Sequence, residues 1–230
     1  MSKKAIVAGA TGLVGRALVE ELLQYNYYEK VIVLVRRDIG LTHPQLEQHM
    51  ILFDHIEDFP DEWFTGADLY CTLGTTIKQA KSREQFSVVD YEYPLALGRK
   101  AAVCGSRQLL LITALGASER SLFFYSRVKG KLEAELGRLK LPRMTIFQPS
   151  LIVGEREEDR RGEKWAASLA RMLPFLFMGK LSRFKPIEGR TIAAAMLYSA
   201  LQQQHGIEVV SGTNRMEQMA NALWSEERHQ

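Results

Sequence analysis

Scarcity is the first information the chain offers. Its 230 residues hold two cysteines, Cys71 and Cys104, in apolar surroundings and without metal-like spacing. That count argues against a disulfide scaffold, and two buried thiols suit a reducing compartment, so a cytoplasmic protein is expected. No stretch approaches the ~18 uninterrupted apolar residues that a membrane helix needs. The N-terminal apolar run, Ala5-Ile6-Val7-Ala8, is too short for a signal-peptide core and lacks a cleavage region. A net charge of +3 gives no footing for nucleic acid and fits anionic small molecules such as nucleotides equally well. The five histidines (His43, His49, His55, His205, His229) are dispersed, which points to surface or packing roles and to no metal site. Internal repeats, low-complexity tracts and linkers are also missing.

What is present is ordinary in bulk, with 46% hydrophobic and 25% charged residues, enough for one substantial core. Short β-rich runs alternate with longer helical patterns, the signature of parallel βαβ units. Strands are expected at 5–8, 30–35, 49–53, 67–73, 108–113, 144–147 and 207–210. Helices are expected at 13–24, 93–104, 123–139, 165–178 and 191–203, with a polar helical tail from Arg215. The run from Lys30 to Val35 is apolar at nearly every position, as in a strand buried on both faces of a parallel sheet. Right-handed crossovers then predict an α/β fold with an open, doubly wound parallel sheet. One domain over 1–230 is expected, with 1–154 as the dinucleotide-binding core and 155–230 as a substrate-side extension that does not stand alone. The charged run 155–162 reads as an exposed loop placed to act as a lid. The stretch 165–180 reads as core or the lining of an apolar pocket, with a patch for a partner or membrane surface as the alternative.

The strongest local signal is Gly9-Ala10-Thr11-Gly12-Leu13-Val14-Gly15, which follows a buried strand and opens a helix. Gly9 permits a sharp turn, Gly12 lets backbone N–H groups approach a pyrophosphate, and Gly15 allows the helix to pack on the sheet. The phosphates then face the positive end of the helix that starts near Leu13. The spacing Gly-x-x-Gly-x-x-Gly is one residue longer in its first interval than the Gly-x-Gly-x-x-Gly fingerprint. The second strand ends in Arg36-Arg37, where an NAD-selective site usually carries an acidic residue. A guanidinium there suits the 2′-phosphate of NADP(H), so NADP(H) is favoured over NAD(H).

A second constellation lies in Phe124-Tyr125-Ser126-Arg127-Val128-Lys129-Gly130, where Tyr125 and Lys129 share one helix face. Tyrosine at its ordinary pKa of ~10 is a poor acid-base catalyst at neutral pH. The adjacent ammonium is expected to lower it and to hold the nicotinamide ribose, while Thr113, at the end of the preceding strand, orients a substrate carbonyl.

With these motifs the chain resembles a short-chain dehydrogenase/reductase of the atypical kind, a Rossmann-fold NAD(P)-binding family. The likeness covers residues 1 to about 155. It rests on the glycine turn, Leu73-Gly74-Thr75-Thr76, Tyr-x-x-x-Lys and Gln148-Pro149-Ser150-Leu151-Ile152-Val153-Gly154. Leu73 to Thr76, with Asp90 downstream and Val-Lys-Gly in the helix, is similar to the Tat-interacting, metastasis-suppressor-like subfamily and its bacterial relatives. The resemblance implies that Asp54 contacts adenine, that Leu73, Gly74 and Thr75 line the adenine ribose, and that Pro149, Ser150, Leu151 and Ile152 border the carboxamide. Two departures stand out. Thr113, with Ala114 beside it, replaces the family's catalytic serine, and Asp90 stands where the relay asparagine is usual.

The residues and the resemblance together point to an NADP(H)-dependent oxidoreductase moving a hydride between nicotinamide and the carbonyl or alcohol of a small, partly apolar molecule. The alternative left open is a non-enzymatic NADP(H)-binding, redox-sensing regulator acting through a protein partner. The helices at 93–104 and 123–139 are compatible with a monomer or a homodimer.

Overall fold

A computed structural model describes residues 3–154, 184–202 and 205–227. The charged loop expected at 155–162 and the apolar stretch at 165–180 lie outside the described residues. Five strands rich in apolar residues and buried almost throughout form the middle of the sheet: β1 (Lys4–Ala8), β2 (Lys30–Val35), β4 (Asp68–Cys71), β5 (Gln108–Ile112) and β6 (Arg143–Gln148). With β3 (Leu46–Met50) and β9 (Gly206–Ser211), they make a seven-stranded sheet in the order β3-β2-β1-β4-β5-β6-β9, with every pairing parallel.

Alternate residues of each strand enter opposite cores. Val7, Val33, Tyr70, Leu110 and Phe147 face α1 (Leu13–Tyr25), α7 (Gly189–Leu201) and α8 (Thr213–Glu227). Ile6, Ile32, Leu69, Leu111 and Ile146 face the opposite layer, which includes α5 (Tyr93–Val103) and α6 (Phe124–Leu136). The sheet is thus doubly wound, as the alternation of strand and helix patterns implies. Residues after 184 supply β9 and two of these helices, so this part of the chain is built into the main sheet. A two-stranded ribbon, β7 (Ile152–Val153) with β8 (Ile187–Glu188), ties the two stretches together above it.

Two expectations need correction. The third strand runs Leu46–Met50, three residues earlier than expected, because an edge strand can carry polar side chains such as Glu47, Gln48 and His49. The apolar Ile51-Leu52-Phe53 leads instead into a 3-10 turn, Phe53–Asp58, that buries Phe53 and Ile56.

The helix expected at 93–104 has a longer approach. The short helices α2 (Asp61–Phe64), α3 (Ile77–Ala80) and α4 (Arg83–Ser87) precede it, and α4 runs through a π-helical turn, Val88–Glu92, into α5. Ser82 caps α4 by accepting a bond from the Gln85 N–H. Pro94 has no N–H to offer the Asp90 carbonyl four residues back, and its ring would clash there, so widening the preceding turn is a natural solution. That widened turn carries Asp90. Among the described residues no helix is long and apolar enough to cross a membrane.

Candidate active site

The parallel register aligns the C-terminal ends of the central strands: Ala8 pairs with Cys71, Cys71 with Leu111, and Ile112 with Phe147. Ligands in open α/β sheets bind at this edge. The glycine turn occupies it, and its closeness to the neighbouring strand demands glycine. Gly9 has φ +95°, and a Cβ on Gly15 would lie 2.1 Å from the Gly9 carbonyl oxygen and 2.5 Å from Thr72 Oγ1. Thr72 holds the turn to the sheet, its N–H and hydroxyl both donating to the Ala8 carbonyl, at 2.8 and 3.0 Å. No acidic residue sits in the first turn of α1, so its positive end is unopposed there.

The other members of the turn divide by direction. Thr11 is exposed, whereas Val14 points into the core and has only its backbone to offer. Leu13 reaches beneath two glycines: a Cβ on Gly154 would come within 2.6 Å of it, and one on Gly189 within 2.9 Å. The leucine therefore fastens the ribbon and α7 to the turn.

Arg36 and Arg37 are exposed at the end of β2. Asp38, the acidic residue close behind them, turns back to accept the Gly40 N–H at 2.5 Å. Asp54 lies in the 3-10 turn and accepts a 2.6 Å bond from Tyr93, whose ring stacks on Phe53 with centroids 5.4 Å apart. Burial, reinforced by Asp54, pushes the Tyr93 hydroxyl up to about 12, against the pull of Arg36. Tyr93 escaped sequence reading because nothing in its spacing marks it.

At the centre of the edge, Lys129 and Asp90 form an ion pair of 2.8 Å with exposures of only 3% and 1%. The second Asp90 oxygen accepts the Thr75 N–H at 2.8 Å. Gly74 lies against the pair, since a Cβ there would stand 3.5 Å from Asp90 Oδ1 and 3.9 Å from Lys129 Nζ. Burial raises the Asp90 carboxyl above its usual range, opposed by Lys129 and by the Thr75 N–H.

Tyr125, one turn before Lys129, is 38% exposed and packs on Phe86 with centroids 5.5 Å apart. Lys129 does pull the phenol down as expected, but burial raises it by more and Asp90 adds to the rise, so the hydroxyl stands above its ordinary value. Asp90, paired with Lys129, offsets part of the lysine's pull.

Thr113 needs correction as the carbonyl orienter. The residue is 4% exposed and its hydroxyl donates to Glu133 Oε1 at 2.5 Å, and one proton cannot serve a substrate as well. Gln148 holds the same carboxylate with two contacts of 3.0 Å, and burial raises the Glu133 carboxyl. Glu133 was missed although its signal was present: it repeats the Tyr125–Lys129 interval on the same helix face. Of the last group, the Pro149 carbonyl accepts the Leu115 N–H at 2.8 Å, and Ser150 bonds the Lys185 carbonyl at 2.5 Å and Thr213 at 3.0 Å. Leu151 is exposed and Ile152 lies in the ribbon.

Comparison with known proteins supplies the family. Residues 66–180 match the family model described as HIM1, and residues 7–50 match one described as Male sterility protein. Protein HTATIP2 of Rattus norvegicus is 31% identical over 177 residues, which cover 75% of this chain and 72% of that protein. Protein FMP52, mitochondrial, of Eremothecium gossypii is 32% identical over 189 residues, 80% of each chain. The chain belongs to the HTATIP2-type family of atypical short-chain dehydrogenases/reductases.

Solved structures agree on the fold. MoeE5 in complex with UDP-glucuronic acid and NAD has a TM-score of 0.68 at 14% identity, over 91% of this chain and 76% of that one. A Thermus thermophilus UDP-glucose 4-epimerase complex with NAD has a TM-score of 0.68 at 17% identity, over 96% and 82%. Among the HTATIP2-type relatives, the yeast proteins are named mitochondrial, which overturns the expectation of a cytoplasmic protein. Cys71 and Cys104 are free thiols, and two free thiols name no compartment.

Proposed function

We propose that this member of the family is an NADP(H)-dependent oxidoreductase acting on the carbonyl or alcohol of a small, partly apolar molecule. The observation that carries the reading is the placement of Tyr125, half open above a buried Lys129 at the edge where the glycine turn lies. The tight contact of Gly9, Gly15 and Thr72 is the kind of cradle a dinucleotide pyrophosphate requires, with the bare N-terminus of α1 facing it. The two exposed arginines after β2, with Asp38 bonded to the Gly40 N–H, support NADP(H) over NAD(H). The apolar substrate is suggested by Leu122 and Phe123, exposed at 94% and 77% where the chain enters α6 beside Tyr125. In this reading the chain works as one unit over 1–230.

When bound, the nicotinamide supplies or accepts the hydride. In the reducing direction Tyr125 gives its phenolic proton to the carbonyl oxygen as the hydride reaches the carbon. The C=O becomes CH–OH, and water reprotonates the phenolate. Lys129 would hold the nicotinamide ribose, and Gly74 and Thr75, which lie against the Lys129–Asp90 pair, would flank it in place of the adenine-ribose contact that the resemblance implies. Thr113 and Gln148 clamp Glu133 and so fix the base of α6 against the strand ends.

The test is a comparative fluorescence titration with NADPH and NADH, followed by a carbonyl panel. Tyr125→Phe is expected to abolish turnover while NADPH still binds. Failure to bind either dinucleotide refutes the reading. A protein that binds NADPH, turns over no carbonyl and recruits a partner differently with NADPH and NADP⁺ would be the regulator instead.

A further inference from the structure

Among the described residues the charges acting on Tyr125 are Lys129, one turn along its own helix, and Asp90, from the π-helical turn before α5. The α4 helix packs Phe86 on the ring, and its Arg83 lies over Phe124 instead. Glu133 and Cys71 act on Lys129. Glu133 is held by Thr113 and Gln148, and burial keeps the Cys71 thiol up at about 11. The charge balance at Tyr125 is therefore decided by Lys129 against Asp90.

Asp90 is fixed on both sides. One oxygen bonds Lys129 at 2.8 Å and the other takes the Thr75 N–H at 2.8 Å, so swinging away would strand a backbone donor and a buried ammonium. Its backbone sits in the turn widened ahead of Pro94. We propose that Asp90 is a positioning residue that acts through Lys129, cancelling its charge in the resting site so that Tyr125 stands protonated as a donor for carbonyl reduction. An asparagine at this position would hold Lys129 by a hydrogen bond and leave the positive charge to favour phenolate. Burial and Asp90 raising the phenol against Lys129 agree with this balance. The role in reduction rests on the function proposed above, but the electrostatic claim does not.

The experiment reads Tyr125 directly, as the phenolate absorbance of the full chain minus that of Tyr125→Phe, followed over pH. Asp90→Asn is expected to lower the Tyr125 midpoint by about one unit or more, the size of an unmasked neighbouring charge. The alkaline limb of the reduction rate should move down with it. An unchanged or higher midpoint overturns the proposal. Because Asp90→Asn leaves Lys129 buried without its carboxylate, the double variant Asp90→Asn, Lys129→Gln provides a neutral pair. Its midpoint should stay within about half a unit of wild type, since a cancelled pair is replaced by no charge, and a rise of about one unit or more overturns the proposal. The titration needs no substrate. Absence of turnover in the wild type thus refutes the reductase reading, while the titration alone decides the role of Asp90.

Discussion

Alanine at Gly15 and at Gly12 should separate folding from binding within a single turn. A Cβ at Gly15 would lie 2.1 Å from the Gly9 carbonyl oxygen, 2.5 Å from Thr72 Oγ1 and 2.7 Å from the Gly9 carbonyl carbon. Most of these atoms are backbone, so no rotamer change relieves the overlap, and β1 and α1 must part locally. Overpacking of this kind costs about 1–3 kcal/mol, with the upper end appropriate where backbone must move. The helical preference of alanine over glycine returns about 1 kcal/mol. The net expectation for Gly15→Ala is a loss of about 2 kcal/mol, or roughly 4–8 °C in Tm for a chain of this length.

At Gly12 the nearest atom to an added Cβ is the Gly9 carbonyl oxygen at 3.3 Å, a tight contact that a shift of a few tenths of an ångström relieves, and the backbone, at φ −82° and ψ 166°, is open to any side chain. Gly12→Ala should therefore cost about 1 kcal/mol or less, while its methyl group intrudes on the space reserved for a pyrophosphate. Urea unfolding and NADPH fluorescence, run on both variants, test the pair. A Gly15→Ala protein as stable as wild type would refute the steric argument. A Gly12→Ala protein with unchanged NADPH affinity would refute the assignment of the turn to the dinucleotide.

Two further predictions follow from individual side chains. Arg36→Ala should weaken NADPH binding by about 1.5–3 kcal/mol, roughly 10- to 150-fold, and NADH binding far less. Parallel titrations check this, and equal losses for both dinucleotides would place Arg36 away from the 2′-phosphate. Burial raises the Glu133 carboxyl, so its contribution to stability is fully present below the usual carboxylate range near pH 4 and is lost as pH climbs through its folded value. Glu133→Gln should remove that decline and leave a flatter stability curve on the alkaline side. Urea midpoints measured from pH 4 to 8 would show it, and an unchanged slope would contradict the raised value.

The sheet was legible because its signal is redundant. From Lys30 to Val35, and again through Leu109, Leu110 and Leu111, several apolar residues in a row specify a strand covered on both faces. The edge strand was misplaced because Leu46–Met50 has no such signal: its polar residues are tolerated by position, and Val31 pairing with Leu46 sets its register. The glycine turn and the Tyr125–Lys129 spacing were readable because each is local, the one in consecutive residues and the other in one helical turn.

What the sequence by itself determined is the alternation of the central strands with the long helices α1, α5 and α6, the dinucleotide turn and the helix face that carries Tyr125, Lys129 and Glu133. Which groups those side chains meet was decided only in three dimensions. Asp90 lies 39 residues before Lys129 and reaches it from a widened turn on another element. Thr113 meets Glu133 across 20 residues, and Asp54 meets Tyr93 across 39. Pattern within an element follows from the helix and strand repeats. The charge state of a buried group depends on what tertiary packing brings within about 3 Å of it, and no local spacing encodes that.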